Sequence, residues 1–276
     1  MRIRGSVVVV TGASAGIGRE TAILLARRGA RVWAVARSEA ALERLAGEHP
    51  NVVPFAADLT DDQARAALVD TVGAVDVLVN NAGIGWTGLV EEMSAEEVRR
   101  LFEINVFALV DLTQRVLPGM LERRRGHICN VASVASWVAT PPITMYSATK
   151  FAVQGFSDGL RREVRGRGVT VSTVNPGPVD TTFARRAIVG DRPTEQLGEH
   201  GMPGVPPQWV ARAVARAVRM GGVPGWTTVA VPRALGLGRV GAVPGVQLAV
   251  DVACLFTRRA GVRLRRRAAP VPSDTD

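Results

Sequence analysis

The sequence predicts an α/β fold in which helices cover both faces of a single parallel sheet. Runs rich in β-branched residues alternate with segments of helical spacing along most of the chain. The runs are apolar almost throughout, which is typical of parallel strands buried on both faces. They occupy residues 6–11, 31–36, 52–56, 75–79, 127–132, 169–174 and 226–231. We therefore predict a doubly wound, Rossmann-type sheet of seven strands in the order 3-2-1-4-5-6-7, with ligands bound at the carboxyl ends of the strands.

The chain of 276 residues is predicted to form one domain over residues 1–232 and a C-terminal extension over residues 233–276. The extension combines an amphipathic helix near residues 246–258 with an arginine-rich, partly disordered tail. That helix either packs on the body of the protein or on a partner subunit, or it lies on a membrane surface. Residues 178–208 are long for a connection, and we expect them to form a lid.

Composition limits the classes of function. The net charge is +9, but six arginines lie within residues 258–267, and without them the balance falls to +3. The basicity therefore belongs to the tail, which argues against nucleic-acid binding. The two cysteines, Cys129 and Cys254, are better read as free thiols than as a disulfide framework. The first residues do not read as a signal peptide or a membrane span, so we expect a cytoplasmic protein.

Residues 11–18, TGASAGIG, follow the first predicted strand and open a helix. Glycines at positions 12, 16 and 18 allow a tight turn in which backbone amides and the helix N-terminus can meet a pyrophosphate. A glycine cluster can also be an ordinary strand-to-helix turn. Its place after the first strand of a long β-α series favours dinucleotide binding.

The end of the second predicted strand discriminates between the two nicotinamide dinucleotides. NAD-binding folds usually carry an acidic residue there to hold the ribose hydroxyls. This chain has Val35, Ala36 and Arg37 instead. Because a guanidinium pairs well with a 2′-phosphate, we predict NADP(H) rather than NAD(H). The alternative is that Arg37 only caps a surface loop.

Four polar residues form a candidate catalytic set. The chain has one tyrosine, Tyr146, and one lysine, Lys150, whose four-residue spacing puts them on one helix face. The ammonium is expected to lower the tyrosine pKa from about 10 toward neutral pH, although a chance pair on a solvated helix would look the same. Ser133, at the end of the fifth strand, could polarise a carbonyl oxygen or serve only as a strand-end cap. Asn105 interrupts an apolar helix stripe, which a kink or a bound water would explain.

Taken together, these residues resemble the short-chain dehydrogenase/reductase family over roughly residues 5–232. The family's glycine motif matches Thr11, Gly12, Ser14, Gly16, Ile17 and Gly18, and its Asn-Asn-Ala-Gly motif matches residues 80–83. Its catalytic tetrad matches Asn105, Ser133, Tyr146 and Lys150. The resemblance implies hydride transfer between nicotinamide and a carbonyl carbon, with Tyr146 giving or taking the proton. It also implies that Asn105 holds a relay water and that Lys150 binds the nicotinamide ribose.

The same resemblance implies the cofactor contacts and the partners. Asp58 would meet the adenine amino group, and the segment after the sixth strand would hold the carboxamide. The implied contacts are Gly12, Ser14, Gly16, Ile17, Gly18, Arg37, Asp58, Leu59, Asn81, Ala82, Gly83, Tyr146, Lys150, Pro176, Gly177, Val179 and Thr181. No metal site is implied. The expected partners are a small-molecule carbonyl or alcohol and further copies of the chain, in a homodimer or homotetramer.

Two rival functions stay open at this point. A nucleotide-sensing regulator would keep the fold but would not need Tyr146 or Lys150. A membrane-associated binding protein would rest on the tail alone, through a peripheral membrane contact. For an enzyme, Trp86, Trp137, Val138 and Ile143 suggest apolar pocket walls and hence a bulky apolar substrate.

Overall fold

A single parallel sheet organises the protein. The computed structural model describes residues 1–183, 204–221, 223 and 227–232. Its seven strands pair in the order β3-β2-β1-β4-β5-β6-β7, which confirms the predicted topology. The strands are β1 (Val7–Thr11), β2 (Arg31–Ala36), β3 (Val52–Ala56), β4 (Val77–Asn80), β5 (Gly126–Val131), β6 (Val169–Pro176) and β7 (Thr228–Val231).

Helices cover both faces of this sheet. They are α1 (Gly16–Arg27), α2 (Glu39–Glu48), α3 (Asp62–Val72), α4 (Ala95–Phe102), α5 (Ala108–Glu122), α6 (Thr144–Glu163) and α7 (Pro207–Arg219). One core cluster joins α1, α2 and α7 to the sheet, and a second joins α3, α5 and α6 to its other face. Val8 and Val10 enter the first cluster and Val9 the second, because successive side chains of a strand point to opposite faces. The apolar strand runs thus follow from two-sided burial.

The predicted helical stripe around Asn105 is interrupted in the structure. A π-helical turn, Glu103–Phe107, separates α4 from α5. Such a turn inserts an extra residue into the helix and re-aims the side chains next to it. Asn105, within the turn, is 1% exposed. The kink that the sequence suggested is therefore present.

Some predictions fall on parts of the chain that the structure does not describe. These are the C-terminal extension with Cys254, most of the suggested lid (residues 184–203) and residue 226, the first of the last predicted strand. The observed strand β7 begins at Thr228. Cys129 is a buried free thiol, as predicted. Within the described residues, no helix is long and apolar enough to cross a membrane.

Candidate active site

The glycine turn between β1 and α1 forms one wall of the site. Gly12 and Gly16 have positive φ angles of 68° and 55°, which favour glycine. Ala15, at the N-cap of α1, offers no capping side chain, and the first helical turn has no acidic residue. Because the first amides of a helix lack partners within it, this N-terminus is suited to an anion. The turn therefore fits the phosphates of a dinucleotide.

The end of β4 is fastened to this turn. The Thr11 hydroxyl accepts hydrogen bonds from the backbone amides of Asn81 and Ala82, at 2.9 and 3.0 Å. The Asn81 side-chain amide donates to the carbonyl oxygens of Thr11 and Gly12, at 2.9 and 3.3 Å. The Asn81 side chain thus holds the backbone of the glycine turn in place.

The carboxyl ends of β2 and β3 carry the residues expected at the adenosine end of the cofactor. Arg37 is exposed directly after β2, and Asp58 is exposed after β3. The pKa of Asp58 lies below its ordinary value, chiefly because of the hydrogen bond from the Thr60 amide, with smaller contributions from the charges of Arg37 and Arg100. A cationic group therefore lies where the sequence predicted a 2′-phosphate. Leu59 is buried beside it.

Ser133, Tyr146 and Lys150 meet above the end of β5. Ser133 follows β5 directly and caps a short 3-10 turn, Val134–Ser136, by accepting from the Ala135 amide at 3.1 Å. Tyr146 and Lys150 lie one turn apart on α6, with the ammonium 5.5 Å from the ring centre. The Ser133 hydroxyl lies close enough to Tyr146 to favour its ionised form. Ser133 is thus both a cap and a neighbour of the tyrosine.

The charge states of this pair differ from the sequence-based prediction. Burial raises the pKa of Tyr146 to about 12, against a smaller opposing effect of the Ser133 hydroxyl. Burial also lowers the pKa of Lys150 to about 8, so the lysine is still mostly protonated at neutral pH. The expected lowering of the tyrosine pKa is therefore wrong for this structure. The reason is that burial disfavours the charged phenolate more than the neighbouring Ser133 hydroxyl favours it.

Asn105 is fully satisfied by protein groups. Its side-chain oxygen accepts from the Ile84 amide at 2.8 Å, and its amide donates to the Ile84 carbonyl at 3.0 Å. The amide also donates to the Thr149 hydroxyl on α6 at 3.1 Å. A Cβ atom added to Gly83 would lie 2.9 Å from the Asn105 oxygen and 3.8 Å from the Lys150 nitrogen. The glycine therefore lets β4, the π turn and α6 converge.

The segment after β6 closes the site from the other side. Ser133 donates to the Pro176 carbonyl at 3.4 Å, and the Gly177 amide donates to the carbonyl of Val231 at 2.9 Å. Val179 forms an isolated bridge with Val205. A Cβ at Gly16 would lie 3.1 Å from the methyl group of Thr181, so this segment reaches the glycine turn.

The suggested pocket walls are only partly open. Trp137, Val138 and Ile143 are partly exposed, whereas Trp86 is 1% exposed and donates to Glu97 at 3.3 Å. Trp86 is therefore part of the packed loop. Sequence reasoning missed Phe183, whose ring lies 5.9 Å from that of Tyr146.

It also missed a buried polar chain beneath the site. The Asn80 amide donates to the Asn130 side-chain oxygen at 3.0 Å, and the Asn130 amide donates to the Ser157 hydroxyl at 2.8 Å. This chain joins β4, β5 and α6 inside the core. The signal was Asn130, a polar residue between Cys129 and Val131 in the middle of the predicted strand 127–132.

Comparison with known proteins agrees with this geometry. A family model described as short chain dehydrogenase matches residues 6–190. The chain belongs to the short-chain dehydrogenase family. Members of this family are oxidoreductases that act on alcohol or carbonyl groups with a nicotinamide cofactor. The sequence-based recognition of the family is thereby confirmed.

Three similar proteins place the chain within this family. It is 37% identical to mouse (Mus musculus) dehydrogenase/reductase SDR family member 7B over 203 residues, which cover 68% of this chain and 62% of that protein. It is 38% identical over 213 residues to the 3-oxoacyl-acyl-carrier-protein reductase FabG of Vibrio harveyi, covering 72% and 86%. A Burkholderia cenocepacia short chain dehydrogenase solved with NADP matches with a TM-score of 0.77 at 28% identity, covering 92% and 99%. The chain thus spans less than two thirds of the mouse relative.

The close approach of α1 to the glycine turn yields a test. A Cβ at Gly18 would overlap the Gly12 carbonyl oxygen and lie 2.5 Å from the Asn81 amide nitrogen. We expect Gly18→Ala to lower the free energy of unfolding by about 1–3 kcal/mol, because backbone atoms must move, and to weaken dinucleotide binding. Urea unfolding and calorimetry measure the two effects.

Gly47→Ala is the matched control. Gly47 lies in helix α2 with nothing within 4 Å of an added Cβ. That change should leave binding intact and stabilise the protein by about 0.5–1 kcal/mol. Equal stability of the two variants would refute the tight packing at Gly18.

Proposed function

We propose that the protein is an NADP(H)-dependent oxidoreductase that interconverts a carbonyl and a secondary alcohol. The observation that carries the proposal is the meeting of Ser133, Tyr146 and Lys150 beside the glycine turn, with the lysine buried and its ammonium 5.5 Å from the centre of the tyrosine ring. A regulator that only bound the dinucleotide would not need this arrangement. The proposed catalytic set is Asn105, Ser133, Tyr146 and Lys150.

The proposed proton chemistry follows from the side chains. A nicotinamide cofactor held at the proposed contacts would supply the hydride for the carbonyl carbon, or accept it from the alcohol. In reduction, the Ser133 hydroxyl donates a hydrogen bond to the substrate oxygen and Tyr146 donates the proton to it. The raised pKa keeps Tyr146 protonated at neutral pH, as a general acid must be before the transfer. The Lys150 ammonium then stabilises the tyrosinate that forms.

Loss of the tyrosine hydroxyl tests this chemistry. Tyr146→Phe should lower kcat for carbonyl reduction by about 10²–10⁴-fold, because no other group would supply the proton, while NADPH affinity stays within a few-fold. Steady-state assays that follow NADPH oxidation with a panel of apolar ketones and aldehydes measure kcat.

Ser147→Ala removes a neighbouring hydroxyl that donates to the Ile143 carbonyl within α6, and it serves as the control. Undiminished turnover in Tyr146→Phe would exclude the proposed role. If the wild type bound the dinucleotide but turned over no substrate, the regulator would be favoured.

We infer a bulky apolar substrate from the partly exposed Trp137, Val138 and Ile143. A preference for small charged carbonyls in the same panel would contradict this.

The preference for NADP(H) rests on Arg37. Its guanidinium is exposed at the end of β2, and the similar Burkholderia structure holds NADP. We expect Arg37→Ala to weaken NADPH binding about 10–100-fold, the loss of a charged hydrogen-bonded pair, while NADH binding changes little. Tryptophan fluorescence titration measures both affinities.

Arg44→Ala on the adjacent helix α2 is the control, since Arg44 is also exposed. Equal affinity of the wild type for NADH and NADPH would contradict the assignment. The remaining proposed contacts surround the same crevice, from the glycine turn through Asp58 and Gly83 to Thr181.

We also infer that the chain forms a homodimer or homotetramer through α5 and α6. Phe107, just before α5, and Phe151, on α6, are large apolar side chains with 53% and 44% exposure. A charge at such a contact would be buried without a partner. Phe151→Asp should therefore reduce the mass in light scattering, whereas Val90→Asp, at the exposed start of the 3-10 turn Val90–Glu92, should not. A monomeric wild type at micromolar concentration would overturn the inference.

The cytoplasmic location, and a peripheral membrane contact of the tail, stay predictions.

A further inference from the structure

One buried arginine outside the proposed catalytic set connects the two halves of the crevice. Arg65, on α3, has a side chain that is only 8% exposed. Its Nε donates to Asp111 on α5 at 2.7 Å, and one terminal nitrogen donates to Asp62 at 3.2 Å. The other terminal nitrogen donates to the Leu59 carbonyl at 2.7 Å and to the Glu103 carboxylate at 3.4 Å. A single planar group thus joins four segments.

Two of these contacts lead to different parts of the proposed site. Leu59 follows Asp58 in the segment expected at the adenine, and its carbonyl accepts from the Arg65 guanidinium at 2.7 Å. Glu103 begins the π turn that carries Asn105. Because a guanidinium has its donors in one rigid fork, movement of either segment would break a bond to the same group.

We propose that Arg65 is a positioning residue that fixes the adenine-binding segment and the Asn105 turn relative to each other. The inference rests on the proposed cofactor contacts of Asp58 and Leu59. Arg65 itself is buried behind both segments, so it acts through them and not on the reacting atoms.

The neighbouring Arg115 shows which contacts matter. It donates to the same two carboxylates, Asp111 at 2.7 Å and Asp62 at 2.7 Å. Within the described part of the chain it forms no hydrogen bond or ion pair with Leu59 or Glu103, and its side chain is 29% exposed. Both arginines hold the pKa of Asp111 below its ordinary value, against the opposing effect of burial. Arg115 therefore shares the ion pairs of Arg65 but does not bridge Leu59 and Glu103 as Arg65 does.

The first experiment measures binding of the adenine half of the cofactor. Arg65→Lys keeps the charge beside Asp111, but one ammonium cannot reach Asp111, Leu59 and Glu103 together. We expect it to weaken binding of both 2′,5′-ADP and 5′-AMP about tenfold by calorimetry, and to lower the urea midpoint because buried acceptors lose their donor, while the protein stays folded without urea. Arg115→Met should leave both affinities unchanged. Unchanged binding in Arg65→Lys, or equal weakening in Arg115→Met, would overturn the proposal.

The second experiment isolates the arm that leads to Asn105. Glu103→Gln keeps the size of the side chain but weakens its bond to Arg65. We expect kcat for carbonyl reduction to fall at least threefold, while the affinity for 2′,5′-ADP does not change. Unchanged kcat would remove the Asn105 half of the proposal.

These probes also separate this proposal from the proposed function. If the wild type bound neither 2′,5′-ADP nor 5′-AMP, the cofactor assignment would fail, and the proposal would fall with it. If Arg37→Ala weakened only 2′,5′-ADP while Arg65→Lys weakened both ligands, the two arginines would have distinct roles. That pattern would support the phosphate site and the bridge independently.

Discussion

The site depends on one junction, at which the ends of β1 and β4 are held together. The Thr11 hydroxyl accepts from two successive amides after β4, and the Asn81 side chain returns two bonds to the backbone of the glycine turn. These bonds fix the turn where α1 begins. Without them, neither the helix N-terminus nor Gly83 would have a defined position, and the segments that carry Asn105 and Lys150 pack against Gly83.

Burial then determines the chemistry of the proposed proton-transfer group. Lys150 is buried and Tyr146 is partly buried, so each favours its neutral form more than it would in solution. The lysine keeps enough basicity to stay charged at neutral pH, while the tyrosine stays protonated. This division suits a tyrosine that gives up its proton only when a substrate oxygen develops negative charge. A fixed ammonium nearby then favours the transfer.

The parts of the site that were predicted from sequence are those with a local signature. The glycine turn, the spacing of Tyr146 and Lys150, and Arg37 after β2 can be read from neighbouring residues, since the turn and helix that place them are local. Asn130 and Arg65 could not be assigned in this way. Their partners lie 27 to 50 and up to 46 residues away along the chain, so only the packed fold shows what they hold.

Periodicity and residue type by themselves determined where the strands lie, that the sheet is parallel and at which edge of it polar residues collect, because two-sided burial leaves a continuous apolar pattern in each strand. Only the tertiary structure decided the ionisation of Tyr146, the burial of Trp86 and the partners of Asn105. Each of these depends on how much water the surrounding segments exclude and on which donors they bring within hydrogen-bonding distance. Those quantities arise from contacts between elements, which no local pattern records.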